Sequence, residues 1–76
     1  MAVTVKAQGT VSRLDTPIAH TFTLNYPVGK TLAVNYQTAF ELNKIEGILA
    51  NDAMVETKLY SFASDYYLAR EVEVED

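Results

Sequence analysis

Few residues in this chain have types suited to chemistry, and their spacing does not gather them. His20 is the only histidine, and with Ser12 and Asp15 nearby it could be cast as the base of a nucleophile–base–acid set. Such a set needs the imidazole within hydrogen-bond reach of the hydroxyl and held from its other side by the carboxylate. Ser12 and Asp15 instead flank a turn, His20 falls on the apolar phase of an alternating segment, and no nucleophile-elbow pattern surrounds any of them. His20 therefore reads as a packed side chain with a ring nitrogen bonded to backbone or to a neighbour, and no catalytic residue is assigned.

Gly29-Lys30-Thr31 has the end of a phosphate-binding loop, but the glycine required five positions before its last glycine is Leu24 here. It reads as a loop closing a strand. With no cysteine and one histidine, thiolate and histidine-rich zinc sites are excluded. Glu71, Glu73 and Glu75 share one face of a strand, where side chains about 7 Å apart do not converge on one cation. No metal, no cofactor and no enzymatic activity are assigned, and the carboxylates read as a solvated edge face that discourages unwanted strand pairing.

The most suggestive constellation is aromatic. Tyr60, Phe62, Tyr66 and Tyr67 lie within a short stretch around a polar turn, more rings than so small a core can hold. Tyrosine suits interfaces because a rigid apolar ring carries a polar tip. Cross-strand packing across the hairpin is the competing reading for some of them. Arg70 sits on the apolar phase of the last strand, where it needs a carboxylate partner or access to water; a structural ion pair or a subunit contact is expected. Together with Glu71 and Glu73, these residues form the expected partner-binding set.

Charge narrows the partner. The chain has 76 residues with six Lys/Arg against ten Asp/Glu, a net charge of −4. Residues 1–50 are close to neutral at +1, whereas residues 51–76 carry −5, ending in Glu71-Val72-Glu73-Val74-Glu75-Asp76. Such an end repels phosphate backbones and anionic lipid heads, so neither direct nucleic-acid binding nor membrane binding is expected. An apolar fraction of 49% with 21% charged residues is far too hydrophobic for a disordered chain. No apolar run approaches the roughly 20 residues of a membrane-spanning helix, and no basic-then-apolar leader or glycosylation acceptor is present, so a cytoplasmic location is expected.

The elements that must position these residues follow from periodicity. Residues 2–12 alternate with Val3, Val5, Ala7 and Val11 on one phase, a strand in which Gly9 marks a bulge or a close backbone approach. Ile18, His20, Phe22, Leu24 and Tyr26 alternate in a second strand that pairs with the first as a hairpin. Residues 31–36 are a short third strand, an irregular lead-in, or the start of a helix that begins near Thr31. Leu42, Ile45 and Leu49 at spacings of three and four predict a helix over about 37–50, ended by Asn51-Asp52. Residues 55–62 and 66–74 form a second hairpin about a turn at Ala63-Ser64-Asp65. In its last strand Tyr66, Leu68, Arg70, Val72 and Val74 share one face, with Tyr67, Ala69 and the glutamates on the other.

The expected fold class is α+β: one small domain, mainly antiparallel sheet with one helix, in β-β-α-β-β order. That order is β-grasp-like, which by itself assigns no function. The expected role is a non-enzymatic protein–protein interaction domain that presents its aromatic hairpin and acidic C-terminal strand to a protein, another copy of itself included. Two alternatives stand beside it. One is an assembly subunit of a homo-oligomer, such as a phage or bacterial particle, built by pairing of free strand edges. The other is a small acidic inhibitor of a basic-surfaced target.

Overall fold

The computed structural model describes residues 4–63 and 66–75, apart from the side chains of residues 4, 62 and 63. Its elements are β1 (Thr4–Ser12), β2 (Thr21–Asn25), β3 (Leu32–Asn35), α1 (Gln37–Glu41), β4 (Ile45–Glu46), β5 (Met54–Ala63) and β6 (Tyr66–Glu75). The α+β class holds, with residues 32–35 settling as a strand. The order is richer than β-β-α-β-β, because β3 precedes the helix and β4 follows it.

The sheet runs β3-β2-β1-β5-β6-β4, and β3 also pairs with β6, so five strands close a ring. All pairings are antiparallel except those of β3 and β4 with β6. Three hairpin-linked strands followed by one that returns beside the first make a Greek key. This is a barrel, not a β-grasp-like open sheet.

Strand β1 belongs to both sides of the ring. Its first part pairs with β5 from Thr4↔Tyr60 to Thr10↔Met54, and its last residues pair with β2 from Thr10↔Asn25 to Ser12↔Thr23. Thr10 pairs with both neighbours, and just before it a Cβ added at Gly9 would overlap the Asn25 carbonyl oxygen. Only a residue without a side chain lets the two backbones meet there. Asn25 completes the corner, its Nδ2 donating to the Thr10 carbonyl at 3.1 Å and to the Ser12 hydroxyl at 3.0 Å.

Alternating residues fill the barrel: Ala7 and Val11, Phe22 and Leu24, Val34, Val55 and Leu59, Ala69 and Val72, closed by Tyr36 and Ala39. Thr57 is the one buried polar residue among those described, and its hydroxyl donates to the Ala7 carbonyl at 2.8 Å.

Three expectations fail for identifiable reasons. The helix stops at Glu41 instead of reaching residue 50, because Asn43 takes a left-handed conformation at φ 58°. The Asn43 N–H donates to the Phe40 carbonyl at 3.1 Å and the Lys44 N–H to Ala39 at 2.8 Å, the paired bonds of a Schellman termination. The chain then runs into β4 beside β6, leaving Leu42 and Ile48 exposed and Ile45 and Leu49 partly buried.

The second strand starts at Thr21, not Ile18: Ile18 is exposed, and His20 has φ 63°, outside any strand geometry. The phase of the last strand also flips. Leu59 pairs with Ala69 while Lys58 pairs with Glu71, so Arg70 is the extra residue of a β-bulge. Tyr67 and Ala69 thus join Val72 and Val74 on the core side.

Candidate functional site

The hairpin of β5 and β6 lays Tyr60 opposite Leu68 on the outside of the barrel. The bulge turns Arg70 out beside them, where its Nη1 donates to the Tyr60 hydroxyl at 3.0 Å and its guanidinium carbon lies 6.0 Å from the ring centre. That bond raises the Arg70 pKa further above its already high range, so the group is a fixed cation. It has no carboxylate within ion-pair distance among the described residues. The expected structural ion pair is absent there, and access to water replaces it.

Helix α1 approaches the same surface from the side. Thr38 and Leu42 face Tyr60, Ser61, Leu68, Ala69 and Arg70 across an open groove of about 380 Å³. Leu42, the first residue past the helix, is 49% exposed because the Schellman turn ends the helix before it can fold under. The walls are almost wholly apolar, and Arg70 is the one charged residue among them.

The expected partner-binding set is only partly brought together. Tyr60 and Arg70 line the groove. Tyr66 lies next to the hairpin turn, beside Ala33 of β3, in a second groove of about 210 Å³ whose rim includes Arg13 and Ile18. Tyr67 packs against the core and is only partly exposed. The Phe62 side chain lies outside the described residues, as do Ser64 and Asp65 of the turn and Asp76 of the acidic end.

Glu71 and Glu73 belong to a different patch. Lys58 Nζ lies 3.3 Å from Glu71, Lys6 Nζ lies 3.6 Å from Glu56, and Gln8 donates to Glu75 at 2.6 Å. Glu73 joins these lysines and Glu56 around a small polar cleft. The carboxylates are rungs of a cross-strand charge ladder, not an acidic edge, since β6 has β5 on one side and β3 and β4 on the other.

His20, Ser12 and Asp15 form no relay. Asp15 Oδ1 accepts from the His20 backbone N–H at 2.9 Å, and the Ser12 hydroxyl accepts from Asn25. The same Asp15 oxygen accepts the Tyr36 hydroxyl. The His20 ring lies between Tyr36 and Phe40, at centroid distances of 5.6 and 4.7 Å, so packing describes it, though from a loop and not a strand. Among the described residues no group of carboxylates and histidine is placed to hold a metal, and no helix is long and apolar enough to cross a membrane.

Leu42 and Leu68 are the groove residues that sequence reasoning missed. Leu42 looked like the core face of a long helix, and Leu68 like a core residue of an uninterrupted strand; only the Asn-Lys step after Leu42 carried a signal of the early stop. Comparison with known proteins finds no matching family model, no matching curated protein and no matching solved structure.

Proposed function

We propose that this domain is a protein-binding module and that the groove between α1 and the outer face of β5–β6 is where it grips its partner. The observation that carries the reading is an apolar groove lined by Leu42 and Leu68, with the hydrogen-bonded Tyr60 and Arg70 also lining it. Exposed apolar surface is costly to keep, and tyrosine and arginine are the side chains most often found as interface anchors.

A five-stranded Greek-key barrel is also the architecture of the OB domains, which take oligonucleotides and oligosaccharides across the β2–β3 face. Architecture assigns no ligand, and the net charge of −4 opposes a polyanion. The assembly-subunit alternative drew on free strand edges, and the inhibitor alternative on an uncompensated acidic face. The pairing of β6 on both sides and the lysines of the charge ladder leave both with less support than the groove reading.

Display of random peptides tests this function. Panning against the native domain, against Leu68→Asp and against Glu73→Lys should enrich apolar sequences on the first and third and lose them on the second. Enrichment that survives Leu68→Asp, or no enrichment at all, overturns the reading.

A further inference from the structure

Resting on that reading, we infer that the groove takes the C-terminal residue of a partner chain, an apolar side chain entering between Leu42 and Leu68 while the free carboxylate meets Arg70. Three observations converge on this chemistry.

The first is charge. In a chain with more acids than bases, lysines 6 and 58 are engaged by glutamates, whereas among the described residues Arg70 is bonded to the Tyr60 hydroxyl and to no carboxylate. Arg70 is also the one charged residue among those lining the groove, so the complementary ligand is an anion attached to an apolar body. A guanidinium presents a planar fork that matches a carboxylate through two parallel hydrogen bonds.

The second is preorganisation. A bulge residue has no ladder partner to fix its direction, but the bond to Tyr60 and the proximity of its ring hold Arg70 over the groove. One Nη is occupied by Tyr60, which leaves the remaining N–H groups for an incoming acceptor.

The third is size. A volume of about 380 Å³ lies near the lower end of the range for ligand pockets, too small for a helix face or a strand with several anchors. A chain terminus places an apolar side chain and a carboxylate on one residue, so both fit within so short a groove. Capture of a terminal carboxylate is a recurring mode of peptide recognition.

The test uses an N-acetylated tetrapeptide ending in leucine, as free acid and as C-terminal amide, followed by the methyl resonances of Leu42 and Leu68. The free acid should shift both methyls and bind about tenfold more tightly than the amide. Arg70→Gln should abolish that preference, Arg70→Lys should retain part of it, and Tyr60→Phe should weaken the acid about threefold with little effect on the amide. A third peptide, amidated and ending in Asp-Leu, separates the sources of the carboxylate: binding equal to the free acid overturns a terminal site in favour of an internal acidic side chain. Equal binding of acid and amide overturns the inference while leaving the groove reading intact. Absence of any shift at Leu42 and Leu68 with all three peptides overturns the inference, and the display experiment then judges the groove itself.

Discussion

One oxygen of Asp15 accepts two hydrogen bonds, from the Tyr36 hydroxyl and from the backbone N–H of His20, and so ties the β1–β2 loop to the end of β3. The Tyr36 N–H returns the tie by donating to the His20 carbonyl at 2.8 Å. Arg13, Asp15 and His20 all have positive φ, a conformation that non-glycine residues hold only when their surroundings fix it. Burial first, and then the bond to and charge of Asp15, push the Tyr36 hydroxyl well above the usual phenol range.

A pH dependence follows. Because the folded state holds its Tyr36 proton above the pH of about 10 where an unfolded tyrosine ionises, the unfolded chain binds fewer protons there. The contribution is whole below about pH 10 and is lost as pH rises through the folded-state value. Tyr36→Phe should cost about 1.5 kcal/mol at neutral pH, the scale of a hydrogen bond to a charged group. Its urea-unfolding stability should also fall less steeply above pH 10 than that of the native protein. Parallel alkaline profiles would mean that Tyr36 is not the group responsible.

Gly9→Ala should be among the most damaging small substitutions. Its Cβ would meet backbone, the Asn25 carbonyl, which cannot turn aside as a side-chain tip can. Overpacking of this kind costs about 3 kcal/mol, enough in a domain this size to lower the melting temperature by more than about 10 °C. Calorimetry of Gly9→Ala checks this, and a change of less than about 3 °C would show that β1 can cross to β2 without the close approach.

How far the sequence was legible depends on whether period alone decides an element. The alternations in residues 4–12, 21–25 and 54–63 placed three strands of the barrel within a few residues, because one buried face imposes its phase over the whole strand. Period fails where one residue breaks it. Arg70 inserts a single bulge, and every inward and outward assignment before it reverses, which is why Tyr67 looked exposed and Leu68 buried. Leu42, Ile45 and Leu49 keep a helical spacing that the chain never uses, since one left-handed Asn43 redirects it toward β6. The groove was illegible for the same two reasons: its leucines owe their exposure to the bulge and to the helix stop.

Asn43 can be tested directly. At φ 58° it occupies the position where glycine is most at ease, and asparagine is the next best tolerated. Asn43→Gly should leave stability unchanged or raise it slightly, whereas Asn43→Ala should cost about 1 kcal/mol. Urea denaturation of the two variants checks the order. If alanine proved as stable as glycine, the left-handed turn would not be what ends the helix.

The charge ladder and the groove share the outer face of β5 and β6, and substitution can separate them. Lys58 and Glu71 are each roughly half exposed, a setting in which ion pairs contribute about 0.5 kcal/mol and are screened by salt. Glu73→Lys should therefore leave the melting temperature within about 4 °C of the native value. Its nearest charges are those of the polar cleft and not Arg70. Peptide affinity at the groove should then change by less than about twofold, while Leu68→Asp removes binding. A loss of binding in Glu73→Lys comparable to that in Leu68→Asp would instead extend the interface along the acidic strand, and would make the partner's surface basic as well as apolar.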